Sequence, residues 1–351
     1  MKKLIQKMVL TLPILAMAIS PLQASAAAAD RFNMSDTTGH WAEENLLMYT
    51  YADILRGVQE NGEYKALPDR DITRGEFVTL LIRAFGFKAQ QGATAFTDVK
   101  ATDYFAEPVR IASSLQIVAG YEGGTFQPGK KIRRDEIAAM VMRAVEYEKS
   151  IDLTQGQPIA FSDVGNYWGK DAIQKASRVG IVNGVGNNKF GPEQLATRAQ
   201  AITMIANALN QQVSDIPSDS ELIDTVMNAA TGQHRLITES DVDGLRSHAN
   251  TYFAGLYEGV EEDSILEFES FFNEGFAMDY YFTGTPEAVV LEKTNRFAVV
   301  ELMNAEITTI AYYQGLSHPG SADSSGYYLL KKDHETNTWK IFYSNLPNAA
   351  Q

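Results

Sequence analysis

Gly180-Ile181-Val182-Asn183-Gly184, then Val185 to Phe190, Gly191-Pro192 and Thr197-Arg198-Ala199-Gln200, carry one continuous helix–turn–helix signal. Gly180 and Gly184 suit a helix C-terminus and the left-handed turn behind it. Pro192 marks an extended or turning segment. Thr197 stands where a helix N-cap belongs, and Gln200 completes the spacing of a capping box. Arg198 is out of place by local rules, because a cation in the first helical turn opposes the macrodipole. Beside free N–H groups it would favour an anion.

Working outward, the same order of landmarks occurs twice upstream. Met34-Ser35-Asp36, Phe96-Thr97-Asp98-Val99 and Phe161-Ser162-Asp163-Val164 are three starts. Trp41, Phe105 and Trp168 follow them, 64 and 63 residues apart. Gly57, Gly120 and Gly184 close three turns, 63 and 64 residues apart. Tyr64 with Pro68, Phe126 with Pro128, and Phe190 with Pro192 form the next loop. Ile72-Thr73-Arg74-Gly75-Glu76, Ile132-Arg133-Arg134-Asp135-Glu136 and Ala196-Thr197-Arg198-Ala199-Gln200 then open a helix. Phe77, Leu80, Leu81 and Ala84 put one apolar face on that helix, and the other two copies repeat the spacing. A unit of roughly sixty residues has little core of its own, so three are expected to share one. Asp36, Asp98 and Asp163 are expected to cap the first helix of each unit.

This order resembles the S-layer homology (SLH) domain family, most closely in the third copy. The resemblance spans Met34 to Asn210 and implies three SLH repeats, at 33–88, 95–147 and 160–210, arranged as an all-α, pseudo-threefold trimer of helix-turn-helix units. It further implies binding to secondary cell-wall polysaccharide, through an acidic, pyruvylated sugar held in grooves between units. Carried over residue by residue, the implied polysaccharide-binding set is Arg74, Arg134 and Arg198 with Trp41 and Trp168 and the turn glycines Gly57, Gly120 and Gly184. The residue chemistry is compatible: a guanidinium fork fits a carboxylate, and an aromatic face fits the apolar side of a pyranose. Two plainer readings stand beside it, a structural ion pair for the arginines and core packing for the tryptophans. The second copy departs most, with Phe105 for tryptophan and Arg133 for the capping threonine. That departure favours the grooves of Arg74 and Arg198 over that of Arg134.

The chain has 351 residues, 45% apolar and 21% charged, with a formal charge of −14. Such length predicts two or three domains, and the acidic balance argues against nucleic acid or anionic lipid as the main partner. Lys2, Lys3 and Lys7, the apolar run Met8 to Ile19, and Ala24-Ser25-Ala26 have the layout of a secretory signal peptide, expected over 1–26. Its removal takes away three lysines and no acids, and no membrane insertion is expected afterwards. The expected place is outside the cell, on the cell wall or S-layer surface. There is no cysteine, which excludes thiol catalysis and thiolate metal sites.

Residues 211–220 read as a linker. Beyond it, helices are expected at Glu221 to Ala230, Ser240 to Val260 (with Ser240 as cap) and Ser264 to Phe272. Strands are expected at Phe276 to Thr283, Ala288 to Glu292, Phe297 to Leu302, Glu306 to Gln314, Gly326 to Lys331 and Thr338 to Tyr343. That is an α+β domain over 221–347 with a curved antiparallel sheet, weakly similar to the nuclear-transport-factor-2-like (NTF2-like) cone. No catalytic residue, metal ligand or cofactor is assigned. His234, His248, His318 and His334 are scattered and read as surface or lightly buried. The acidic run Glu258 to Glu269 reads as a solvated helix face. Ser317-His318 and Asp323-Ser324-Ser325 read as hairpin loop, and Phe271, Phe276, Tyr280, Phe297 and Tyr312 as the lining or filling of the cone. The expectation is a non-catalytic surface protein anchored by its repeats and displaying a small binding domain of unknown partner. A wall-associated enzyme and a lattice subunit are the alternatives.

Overall fold

A computed structural model describes residues 30–345; the expected signal segment lies outside the described residues. The chain forms two compact units. One comprises residues 35–49 and 65–215, the other residues 30–34, 50–64 and 216–345. The stretch 50–64, counted within the first repeat on sequence, therefore packs with the C-terminal unit.

Six helices belong to the repeat region: α1 (Glu43–Tyr51), α2 (Arg74–Phe85), α3 (Ala106–Ser114), α4 (Arg134–Glu148), α5 (Lys170–Arg178) and α6 (Arg198–Asn210). The region is not purely helical. Between α1 and α2 runs a hairpin of β1 (Val58–Glu60) and β2 (Glu63–Lys65). Asn61 and Gly62, both at positive φ, supply the two-residue turn such hairpins need. The capping boxes form as expected at α2 and α6, where Thr73 and Thr197 accept from the Glu76 and Gln200 N–H groups. Arg133 has no acceptor in its side chain, so α4 keeps half a box: Glu136 takes the Arg133 N–H at 3.0 Å.

The three segments entering α2, α4 and α6 hydrogen-bond in a closed ring. Ile72 N–H donates to Ala196 O (3.0 Å), Ala196 N–H to Ile132 O (3.0 Å), and Ile132 N–H to Ile72 O (3.1 Å). Each segment thus satisfies a backbone group of the next, which local helix signals could not anticipate. Around this ring Phe77, Leu81, Ile137, Val141, Ala201 and Ile205 are fully buried, the apolar faces read from the spacing.

The second unit carries α7 (Asp219–Thr238), α8 (Val242–Tyr252) and α9 (Gly255–Asn273), then β3 (Ala277–Phe282), β4 (Glu287–Lys293), β5 (Phe297–Met303), β6 (Glu306–Tyr313), β7 (Leu316–Asp323), β8 (Gly326–Lys332) and β9 (Trp339–Asn345). These make two antiparallel sheets, β3-β6-β7 and β4-β5-β8-β9, rather than the single curved sheet expected. The first helix runs on to Thr238, well past Ala230. The helix expected over 240–260 is broken at Phe253 and Ala254, and its cap is Asp241, which accepts from Gly244 N–H at 2.9 Å. Ser240 instead sits at φ 56°. The segment read as a loop around His318 is strand β7, missed because its side chains are almost all exposed and lack alternation. One core joins both layers, including Leu222, Val226, Leu245, Phe268, Met278, Val300 and Leu330.

Candidate functional site

The three arginines take equivalent places in the helical unit. Each begins its helix, is almost fully buried, and donates from Nε to a loop carbonyl of the following copy. Arg74 reaches Phe126 O (3.1 Å), Arg134 reaches Phe190 O (2.9 Å), and Arg198 reaches Ala66 O (2.7 Å). The backbone N–H groups of the same residues donate to Lys130 O, Gln194 O and Arg70 O. The arginine that opposes the helix dipole is thus held by carbonyl oxygens, which stabilise a buried cation.

Their charges are balanced differently. Arg74 lies 3.5 Å from Glu136, and its third nitrogen donates to Ala119 O at 3.4 Å. Lys130 and Tyr121 converge on the same carboxylate. Arg198 lies 3.9 Å from Glu76, which is also bound by Arg70. Burial pushes Glu76 and Glu136 up, but the capping N–H groups and these cations outweigh it and hold both below the ordinary glutamate range. The corresponding residues of the third copy, Gln194 and Gln200, are uncharged. Arg134 accordingly has no carboxylate within ion-pair distance among the described residues, and its Nε bond is the hydrogen bond its side chain makes. Burial lowers its pKa to about 10, opposed by Asp163.

The three aspartates do not cap helices. Each binds two consecutive loop N–H groups: Asp36 those of Ala66 and Leu67, Asp98 those of Phe126 and Gln127, Asp163 those of Phe190 and Gly191. All six distances are 2.7 or 2.8 Å. Leu67, Gln127 and Gly191 sit at positive φ, the kink that turns both N–H groups to one side. The aspartates therefore shape the loops that receive the arginines.

The glycines have steric roles. A Cβ on Gly120 would meet the Phe96 ring and Thr125 O. On Gly184, at φ 82°, it would meet Lys189 O and the Phe161 ring. Gly57 lies in the segment that packs with the C-terminal unit. Trp41 and Trp168 are 64% and 57% exposed, so core packing is not their role. In the second copy the exposed ring is Tyr104, while Phe105 lies against Gly75. Tyr104 was legible as the aromatic neighbour of Phe105. His40 also escaped notice: its Nδ1 accepts from Ala42 N–H (3.1 Å), so Nε2 carries the proton toward Asp69 (3.3 Å).

A groove of about 450 Å³ opens beside Arg134's neighbours, lined by Asp163, Asn166, Tyr167, Pro192, Glu193 and Gln194. Its wall is stitched to the start of α4, where Asp135 N–H donates to Pro192 O (3.1 Å) and Arg134 N–H to Gln194 O (3.0 Å). The buried Tyr167 hydroxyl is raised to about 12 by burial and then by Asp135. Amide, phenol and carboxylate groups around a shallow groove match the alternating hydroxyls of a sugar.

In the C-terminal unit the five expected cone aromatics do not share one cavity. Phe276 stacks between Phe271 and Tyr313, Tyr280 packs on His234, Phe297 pairs with Phe342, and Tyr312 is exposed and donates to Asp279 at 2.8 Å. His234 and His248 are buried rather than superficial. Desolvation lowers both, His234 to about 4. Within the acidic run Glu261 is buried, not solvated. Among the described residues no cluster of His, Asp or Glu is arranged to hold a metal, and no helix is long and apolar enough to cross a membrane.

The profile of the S-layer homology domain matches residues 95–138 and 160–202. The "Middle cell wall protein" of Brevibacillus brevis is 35% identical over 153 residues, 42% of this chain and 13% of that protein. The "Surface layer protein" of Brevibacillus choshinensis is 33% identical over 159 residues, 44% of this chain and 12% of that one. An "Amylopullulanase" of Thermoanaerobacterium thermosulfurigenes is 30% identical over 184 residues, half of this chain but 9% of the enzyme. The chain thus spans only a small part of these much longer relatives. Two profile matches and relatives of the wall and surface layer lead to one conclusion: the chain carries S-layer homology domains at residues 95–138 and 160–202 and has a secreted, cell-wall or S-layer surface location.

Proposed function

We propose that the chain is a non-catalytic display protein whose repeat region grips secondary cell-wall polysaccharide through an acidic, pyruvylated sugar. Residues 33–88 act as a third, divergent S-layer homology repeat, completing an all-helix-faced pseudo-threefold arrangement. The closed ring of Ile72, Ile132 and Ala196, together with the shared arginine geometry at Arg74, supports counting that copy. The C-terminal domain is an NTF2-like module that presents a binding surface to a partner outside the wall. The name of a "Cellulosome-anchoring protein" of Acetivibrio thermocellus, 24% identical over 165 residues, supports an anchoring role.

The observation that carries the reading is Arg134, 4% exposed, whose terminal nitrogens make no hydrogen bond among the described residues and whose backbone N–H is bonded to Gln194 O at the edge of a polar groove. A sugar carboxylate would complete the guanidinium fork that Glu136 and Glu76 complete for Arg74 and Arg198. This reverses the ranking the sequence favoured: the irregular second copy supplies the arginine with the most to offer a ligand. The test is co-sedimentation with purified sacculi before and after removal of the wall polymer. Retention is expected only with the polymer present; equal retention on stripped sacculi rejects the reading.

A further inference from the structure

Glu261 is a group the anchoring reading leaves unused. It lies on α9, is 7% exposed, and accepts one hydrogen bond, from Gln233 Nε2 on α7 at 2.7 Å. Tyr257 on its own helix, Tyr280 on β3 and Tyr328 on β8 surround it. All three hydroxyls are driven upward by burial, with the Glu261 charge adding to the effect. The Tyr328 hydroxyl is already committed to Ser324 O at 2.8 Å. His234 on α7 and His248 on α8 are desolvated and neutral, His248 bonding Ala229 O.

Among the described residues no cation pairs with Glu261. Arg235 pairs with Glu239, Arg246 with Asp243 and Glu269, Lys340 with Asp333, and Lys293 with Asp219, while Lys331 donates to Ala52 O. An ionised carboxylate in this place would have one amide donor and no countercharge, an arrangement far less stable than the protonated acid. A glutamine or methionine of similar size would fill the same volume without that liability, so the carboxyl gives the core a property that packing alone does not require.

We propose that Glu261 is a protonation latch between α7 and α9: protonated, it closes the core of the C-terminal domain, and ionised, it loosens that seam. Burial raises the group to about 8, from an ordinary value of 4.5. The folded state therefore keeps a proton that the unfolded chain has already lost. Stability from this group is complete below about pH 4.5, declines as pH rises, and stops declining above pH 8. The latch is tightest in acid surroundings and loosens progressively as pH rises toward 8, independently of whether the repeats bind wall polymer.

Amide exchange of peptides from α7 and α9, in the full chain between pH 5.5 and 9.5 and corrected for intrinsic rates, reads this directly. In the wild type the opening constant is expected to rise about tenfold per pH unit and level off near pH 8. In Glu261→Gln it stays flat, as it does in α2, α4 and α6 of both proteins. Parallel slopes in wild type and Glu261→Gln overturn the proposal. If that variant does not fold, Gln233→Met decides: removing the one donor moves the levelling-off point upward, and an unmoved point overturns the latch.

Discussion

At the scale of single residues, Arg74, Arg134 and Arg198 share a backbone position but not a charge environment. Arg74 and Arg198 each complete a buried pair with a glutamate of the next copy, and removing one partner leaves the other uncompensated. Arg74→Ala and Arg198→Ala are expected to destabilise the helical unit by about 3 kcal/mol each, measured by urea unfolding. Arg134→Ala has no carboxylate to strand, so its larger effect is expected on sacculus retention, a loss of about tenfold or more. Equal retention of Arg134→Ala and wild type would contradict the groove assignment. Gly184→Ala is a separate case, because φ 82° and the Lys189 carbonyl both oppose a side chain. About 2 kcal/mol of lost stability is expected there, with no change in the other two loops. Glycine at these turns was evident from sequence, whereas the aspartates were not. Asp163 looks like a helix cap because it precedes α5, yet it binds N–H groups 27 and 28 residues away.

Among elements, α4 shows how one irregular cap is compensated. Arg133 stands where threonine caps α2 and α6, and it forks onto Asp135 at 3.0 and 3.1 Å. Asp135 is fully buried, and desolvation raises it against the pull of that arginine. Arg133→Thr alone should therefore destabilise, since it strands Asp135, even though it restores a cap. Combined with Asp135→Ala, which reproduces the Thr197 and Ala199 pair of α6, it should recover about 1 kcal/mol. A thermal-melt double-mutant cycle measures the coupling; additivity would show that the pair does not compensate the cap. The break between α8 and α9 has an equally local cause. Gly255 sits at φ 59°, outside the helical region, which interrupts the helix expected over 240–260, and a Cβ there would run into the Tyr51 carbonyl. The apolar periodicity across that break concealed it. Strand β7 escaped for the opposite reason, since Pro319 and an almost wholly exposed surface give an edge strand no hydrophobic signal.

For the whole molecule, the two units respond to pH through different groups. In the C-terminal unit His234 and His334 are held neutral by burial, at about 4 and about 3. Their folded values lie below the ordinary 6.5, so the unfolded chain takes up protons first. Stability from these groups is complete above about pH 6.5 and falls as the solution is acidified toward pH 4. His234→Phe should flatten that acid limb in a melting-temperature profile and leave the helical unit unchanged; an unaltered limb would assign it to carboxylates instead. The net charge of −14 makes any wall contact by an acidic sugar a local event, carried by arginines screened from the rest of the surface by burial.

Helix faces, the threonine caps of α2 and α6 and the turn glycines were determined by the sequence itself, because each rests on residues within about one helical turn of one another. The recurrence at 63 and 64 residues also carried the family resemblance. What tertiary structure alone decided is which of the repeated groups remain available. Arg198 meets its carbonyl 132 residues away, and Lys331 donates across 279 residues to the segment that leaves the first repeat for the C-terminal unit. Burial and countercharge are sums over such distant neighbours. No local pattern distinguishes Arg134, with two glutamines in place of a charge pair, from the two arginines that the fold itself neutralises.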